Sequence, residues 1–173
     1  MFTTNRKGAI AETAIVHAAI RRGIDVYSPV AEGGRYDLIF GLGSHLLRIQ
    51  CKWAVHQGDV VIVRCSSCRR GREGLIRRLY TADEIDAFAA YCMDIDRCFV
   101  LPIGRFPAQG RVQLRLGPTR NNQRARVHWA DDYDLARLDL AGITGQGAIA
   151  QLGERLAGSQ KVTGSSPVGS IPV

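Results

Sequence analysis

The sequence predicts an α/β domain in which a mixed sheet follows one amphipathic helix. Three observations carry this. Residues 5–22 place apolar side chains at helical spacing and stop at Gly23. Short runs rich in Val, Ile, Phe and Tyr recur down to about residue 116, separated by Gly, Asp and Pro. A chain of 173 residues, 46% of them hydrophobic, can bury one sizeable core.

In the helix, Ala9, Val16, Ala19 and Ile20 fall on one face. Glu12, three residues after Ala9 and four before Val16, projects from that face. A carboxylate there costs free energy unless it is paired or holds a cation. The plainer alternative is a Glu at the stripe's edge that reaches solvent or bonds Arg48.

Residues 25–30 read as the first strand and 31–35 as a turn. Residues 37–40 and 46–54 form a central hairpin through the glycine-rich turn at 41–43. The β-branched run at 59–63 is a further strand. Residues 64–78 read as a loop, given Ser66, Ser67, Gly71 and Gly74. Thr81, followed by Asp83, Glu84 and Asp86, has the capping residue and early acids of a short helical turn. Residues 88–92 and 98–103 are strands joined by a turn at 94–97, residues 112–116 another strand, and residues 129–135 a final helix. From about Gly145 the chain turns to Gly, Ser and small residues with little apolar periodicity, which predicts a mobile extension. The expected division is one domain over 1–140 and a flexible tail over 141–173.

The central hairpin carries the chemistry. Strand alternation puts Gln50 and Lys52 on one face and Ile49, Cys51 and Trp53 on the other. Pairing the two strands brings Asp37 beside Gln50 and Lys52, so a carboxylate, an amide and an ammonium converge. Taken by themselves, these three residues equally suit the polar end of an ordinary sheet.

The net charge is +7, and it is unevenly spread. Arg64, Arg69, Arg70, Arg72, Arg77 and Arg78 face a single acid, Glu73, within one short stretch. Such density is the footprint of a polyanionic partner, the alternative being a solvated charged loop. The chain has 20 Arg and three Lys, so a lysine at position 52 is a distinct chemical choice. No apolar run approaches the roughly twenty residues of a membrane span. Five cysteines without a secretory leader point to reduced thiols in a cytoplasm. Cys65 and Cys68 form a lone CxxC with no second ligand pair, which argues against structural zinc.

Asp37 followed by Gln50-Cys51-Lys52 resembles the signature of the PD-(D/E)XK nuclease superfamily, an Asp and then Asp/Glu-X-Lys on the neighbouring strand. Two positions depart from it: Tyr36 stands where proline is usual, and Gln50 where an acid is usual. Residues 86–91, 100–103, 120–123, Trp129-Ala130 and Tyr133 are similar to one branch, bacterial endonucleases associated with group I introns that act as homing endonucleases. That likeness runs from about Asn5 to Leu138.

The resemblance implies a restriction-endonuclease-like core, a mixed central sheet flanked by helices in αβββαβ order. It implies a catalytic set of Glu12, Asp37, Gln50 and Lys52, hydrolysing DNA phosphodiesters. Mg²⁺, or alternatively Mn²⁺, would be held by Asp37, the Gln50 amide oxygen, the Cys51 backbone carbonyl and Glu12. Gln50 brings no negative charge, which implies weaker metal binding than an acid there. The implied partner is double-stranded DNA, bound by a homodimer or homotetramer in a bacterial cytoplasm with no membrane association. Arg64, Arg69, Arg70, Arg72, Arg77, Arg78, Arg120 and Arg124 would hold phosphates. Asn121, Asn122 and Gln123 suit either adenine edges or a turn. Two other readings remain: a Holliday-junction or repair nuclease on the same core, and a non-catalytic DNA-binding protein on a degenerate scaffold. In the tail, residues 150–155 and 164–167 resemble the translated D-arm and T-arm of a tRNA gene, as read-through would produce.

Overall fold

The computed structural model describes residues 2–31, 33–72, 74–118 and 127–138, apart from the Arg69 side chain. The expected tail lies outside them, as do residues 119–126.

Helix α1 spans Thr4–Ile20. The Thr3 side chain caps it, accepting the Arg6 N–H at 3.3 Å. Its buried stripe is Ala11, Ile15 and Ala19, whereas Ala9 and Ile20 are exposed. The expected face was therefore rotated. Alanine lines so much of this helix that spacing alone does not choose a side; contact with the sheet does.

The strands are β1 (Asp25–Tyr27), β2 (Leu38–Leu42), β3 (His45–Gln57), β4 (Val60–Val63), β5 (Ser66–Gly71), β6 (Gly74–Leu79), β7 (Ala87–Cys92), β8 (Arg97–Pro102) and β9 (Val112–Arg115). Among the described residues, seven of them form one mixed sheet, with β3 as its spine. Residues 45–49 of β3 pair antiparallel with β2, 49–53 parallel with β7, and 54–57 antiparallel with β4. Strand β8 extends the sheet beyond β7, and β9 beyond β4. The parallel β3–β7 pair is buried, and β7 is correspondingly apolar along its whole length. Ala87 and Ala89, which share one face of β7, are small enough to let α1, with its own Ala11 and Ala19, sit close over β3 and β7. Ile15 is fully buried there, worth about 2–3 kcal/mol by area transfer.

The mixed sheet is as expected, but its helical cover is thin. Helix α2 is only Ala130–Tyr133, shorter than the expected final helix, while residues 82–84 form the single turn expected there, the Glu84 and Ile85 N–H groups both donating to the Thr81 carbonyl at 3.1 Å. The segment at 64–78 is not a loop. Strands β5 and β6 make a separate two-stranded ribbon, with Ser66 opposite Leu79 and Gly71 opposite Gly74. Serine and glycine there sit inside cross-strand pairs, which local composition cannot reveal.

Candidate active site

The β2–β3 register builds the site. A two-residue turn joins Leu42 to its partner His45, and Gly43 takes φ +60° in it, a conformation glycine adopts without strain. That turn pairs Leu38 with Ile49. One step further out, the Asp37 N–H donates to the Ile49 carbonyl at 2.9 Å, so Asp37 lies at the level of Gln50.

Asp37 Oδ2 accepts the Cys51 backbone N–H at 2.7 Å and the Gln50 Nε2 amide. Gln50 is only 8% exposed. Burial raises the Asp37 carboxyl above its usual range, against the opposing pull of the Cys51 N–H and the Lys52 charge. Glu12 lies on α1 near enough to feel Asp37: desolvation raises its carboxyl first, and the Asp37 charge adds to that. Glu12 is solvent-exposed, off the buried stripe of α1, as the plainer alternative had it, but it does not bond Arg48. Arg48 instead clasps Asp86, donating its backbone N–H at 2.7 Å, Nε at 3.1 Å and Nη2 at 2.9 Å. Burial, Asp37 and Glu12 all push up the Cys51 thiol, which makes it a poor nucleophile or ligand and leaves its backbone as the useful part.

Lys52 projects to the other face from Cys51. Its Nζ donates to the Tyr80 hydroxyl at 3.2 Å and lies 4.7 Å from that ring's centroid. Tyr80 was not foreseen as part of the site, and nor was Arg35, whose guanidinium stacks 3.8 Å from the same centroid. Neither belongs to a recognisable motif, since Tyr80 reaches Lys52 across 28 residues of sequence. Its one local signal is its position directly after the arginine-rich stretch.

Asp37, Gln50, Cys51 and Lys52 are thus together, with Glu12 at their margin. Among the described residues no three His, Cys, Asp or Glu side chains gather. The hard oxygen donors there, of the kind Mg²⁺ and Mn²⁺ take, are the Asp37 and Glu12 carboxylates and the Cys51 carbonyl, while Gln50 turns its Nε2 toward Asp37 and toward the Cys51 carbonyl at 3.4 Å. Asp37 Oδ1 makes no hydrogen bond among the described residues, and both carboxyls are raised in a way that a nearby cation would relieve. The residues present fit a divalent ion.

Of the expected DNA-contacting arginines, Arg64, Arg70 and Arg72 are exposed and form no ion pair among the described residues. Arg77 donates to Ser66 Oγ and to the Gly110 carbonyl, each at 3.0 Å, while Arg78 pairs with Glu84. Arg120, Asn121, Asn122, Gln123 and Arg124 lie outside the described residues, as does the Arg69 side chain. In the CxxC, Cys65 is buried beside Val63, whereas Cys68 is exposed on β5.

A mixed sheet with an acid entering β2 and an X-Lys pair on β3 defines the class: the chain belongs to the PD-(D/E)XK endonuclease family, whose model matches residues 2–136. Such nucleases generally use divalent metals and act on DNA. Among solved structures, the chain is similar to a bacterial homing endonuclease, I-Ssp6803I, at TM-score 0.64 and 24% identity. That match covers 94% of this chain and 100% of the other, and at such identity it establishes the fold. No curated protein matches the chain in sequence. Among the described residues, no helix is long and apolar enough to cross a membrane.

Proposed function

We propose that the chain is a divalent-metal-dependent, site-specific DNA endonuclease of the homing type, with Asp37, Gln50, Lys52 and Glu12 as its catalytic set. The observation that carries this is the meeting of Asp37 with Gln50 and the Cys51 N–H on one side, and Lys52 one step along the same strand.

Asp37, the Gln50 amide oxygen, the Cys51 carbonyl and Glu12 would hold Mg²⁺ or Mn²⁺. When bound, the ion supplies a water of lowered pKa and neutralises charge building on the phosphate. Lys52 faces the scissile phosphate, orients the attacking water and stabilises the developing charge with a compact ammonium. The Asp37–Cys51 bond keeps the carboxylate aimed and costs no rearrangement during the reaction.

The β5–β6 ribbon supports the DNA assignment. A two-stranded antiparallel ribbon has the width of the major groove, and Arg64, Arg70 and Arg72, on it or beside it, are exposed and pair with no acid among the described residues, which leaves them for phosphates. Exposed Leu75 and Ile76 lie beside them, apolar groups suited to thymine methyls. Recognition of a long site by so small a chain favours a homodimer or homotetramer. Association with a group I intron and a bacterial cytoplasmic setting follow from the resemblance to homing enzymes.

A second reading rests on one observation. Gln50 replaces an acid and donates its amide to Asp37, an arrangement that also suits a DNA-binding protein that no longer cuts.

The test is incubation of the purified chain with Mg²⁺ and a plasmid carrying its own locus with the adjoining tRNA sequence, beside Lys52→Ala and Asp37→Ala. Discrete linear product from the unsubstituted chain, about 10²–10³-fold slower in either variant, is the expected result. Full activity in either variant removes the site assignment. Salt-sensitive binding without cutting selects the non-catalytic reading.

A further inference from the structure

We propose that Tyr80 is a positioning residue that holds the Lys52 ammonium and, through Arg35, ties it to the base of the β5–β6 ribbon. This rests on the reading of Lys52 as the group that faces the phosphate.

Lysine is a point charge on a flexible four-carbon stem, so its placement needs a fixed partner. Tyr80 qualifies. It is 6% exposed, and its ring meets Phe88 edge-on, with centroids 5.4 Å apart and planes at 89°. Its hydroxyl accepts one Lys52 N–H at 3.2 Å, while the ring's electron-rich system attracts the same cation at 4.7 Å. An ammonium has three donors; Tyr80 takes one and leaves two for water and phosphate.

What fixes Tyr80 is Arg35. That guanidinium covers the ring at 3.8 Å and donates to Ser67 Oγ at 3.1 Å, the Leu79 carbonyl at 2.8 Å and Glu84 Oε2 at 2.9 Å. Those three bonds, all from the Nη atoms, set the orientation of the guanidinium over the ring, while its buried Nε makes no hydrogen bond among the described residues. Ser67 and Leu79 belong to the two strands of the ribbon, near its base, and Tyr80 is the residue after β6. The seating of the ribbon and the placement of Lys52 are therefore one mechanical unit, which links contact with DNA to the arming of the site.

The test compares Tyr80→Phe, Tyr80→Leu and Lys52→Ala with the unsubstituted chain on the same supercoiled plasmid and Mg²⁺, measuring single-turnover rate and DNA Kd separately. Tyr80→Phe keeps the ring and its packing but loses the hydroxyl. Its rate should fall about 5–20-fold, with Kd within about twofold and an unchanged melting midpoint. A loss confined to Kd, or no loss at all while Lys52→Ala is inactive, overturns the positioning role alone. An active Lys52→Ala overturns the catalytic reading beneath it. One readout needs no cutting. The Lys52 ε-CH₂ proton resonances should be displaced from the exposed-lysine position by the Tyr80 ring, and Tyr80→Leu should restore them; undisplaced resonances in the unsubstituted chain overturn the contact itself.

Discussion

Asp37 accepts the Cys51 backbone N–H at 2.7 Å, so the acid that enters β2 is held by the strand that carries Gln50 and Lys52. A side-chain bond to a neighbouring strand's backbone locks the carboxylate without another side chain to order. Burial nonetheless raises the Asp37 carboxyl, so this site is arranged at some cost to the metal-free fold.

Gln50→Glu adds a third carboxylate beside Asp37 and Glu12. Repulsion should lower the metal-free melting midpoint, while the added charge should lower the Mg²⁺ concentration for half-maximal cleavage about tenfold, or about 1.4 kcal/mol. A Mg²⁺ titration that does not move would show that position 50 is not at the metal.

Glu12 makes the complementary case. Its folded pKa lies above the ordinary 4.5, so the group contributes stability below that value and loses it as pH rises through the folded pKa. At neutral pH the ionised carboxylate is therefore unfavourable in the metal-free protein. Glu12→Gln should raise the melting midpoint near pH 7 and reduce cleavage, a gain absent near pH 4. Equal midpoints at both pH values would remove Glu12 from the field of Asp37.

The ribbon arginines should divide by their partners. Arg64→Gln, Arg70→Gln and Arg72→Gln should each reduce the slope of log K against log salt by about one. Arg78→Gln removes one of the two arginines, Arg35 and Arg78, that hold Glu84 below the usual carboxylate range, and should act on ribbon stability as well as on binding. Identical salt slopes for all four variants and the parent would remove the ribbon from the DNA interface.

Asp86→Ala should cost about 1–3 kcal/mol, read from urea midpoints, because it strips Arg48 of its backbone and side-chain acceptor at the junction of β3 and β7. Cleavage per folded molecule should be retained.

His128 predicts an acid shoulder in stability. Its ring meets Phe106 edge-on, with centroids 4.8 Å apart and Nδ1 3.2 Å from the Tyr133 hydroxyl, and burial followed by the Arg105 charge lowers its pKa below 6.5. The unfolded chain then binds the proton more readily, so stability should fall as pH drops from about 6.5 toward the folded value. His128→Gln should flatten that shoulder in melting curves between pH 7 and 5; an unchanged shoulder assigns it elsewhere.

The sequence by itself determined the hairpin and its consequence. Two-residue alternation put Gln50 and Lys52 on one face, and a hairpin through the glycine-rich turn at 41–43 brought Asp37 beside them. The register itself came from the structure, where Gly41 and Leu42 belong to β2 and the turn is only Gly43 and Ser44. Strands β4, β7, β8 and β9 were legible for the same reason, since β-branched and aromatic runs bury their own faces. Tertiary structure decided the rest. Which side of the alanine-rich α1 turns inward depends on β3 and β7, not on its spacing. The ribbon at β5–β6 was hidden because serine, glycine and arginine become strand residues only when a partner strand supplies their hydrogen bonds. Tyr80 and Arg35 reach the site only because the chain folds them beside Lys52 from distant positions, and contacts of that range leave no local periodicity to read.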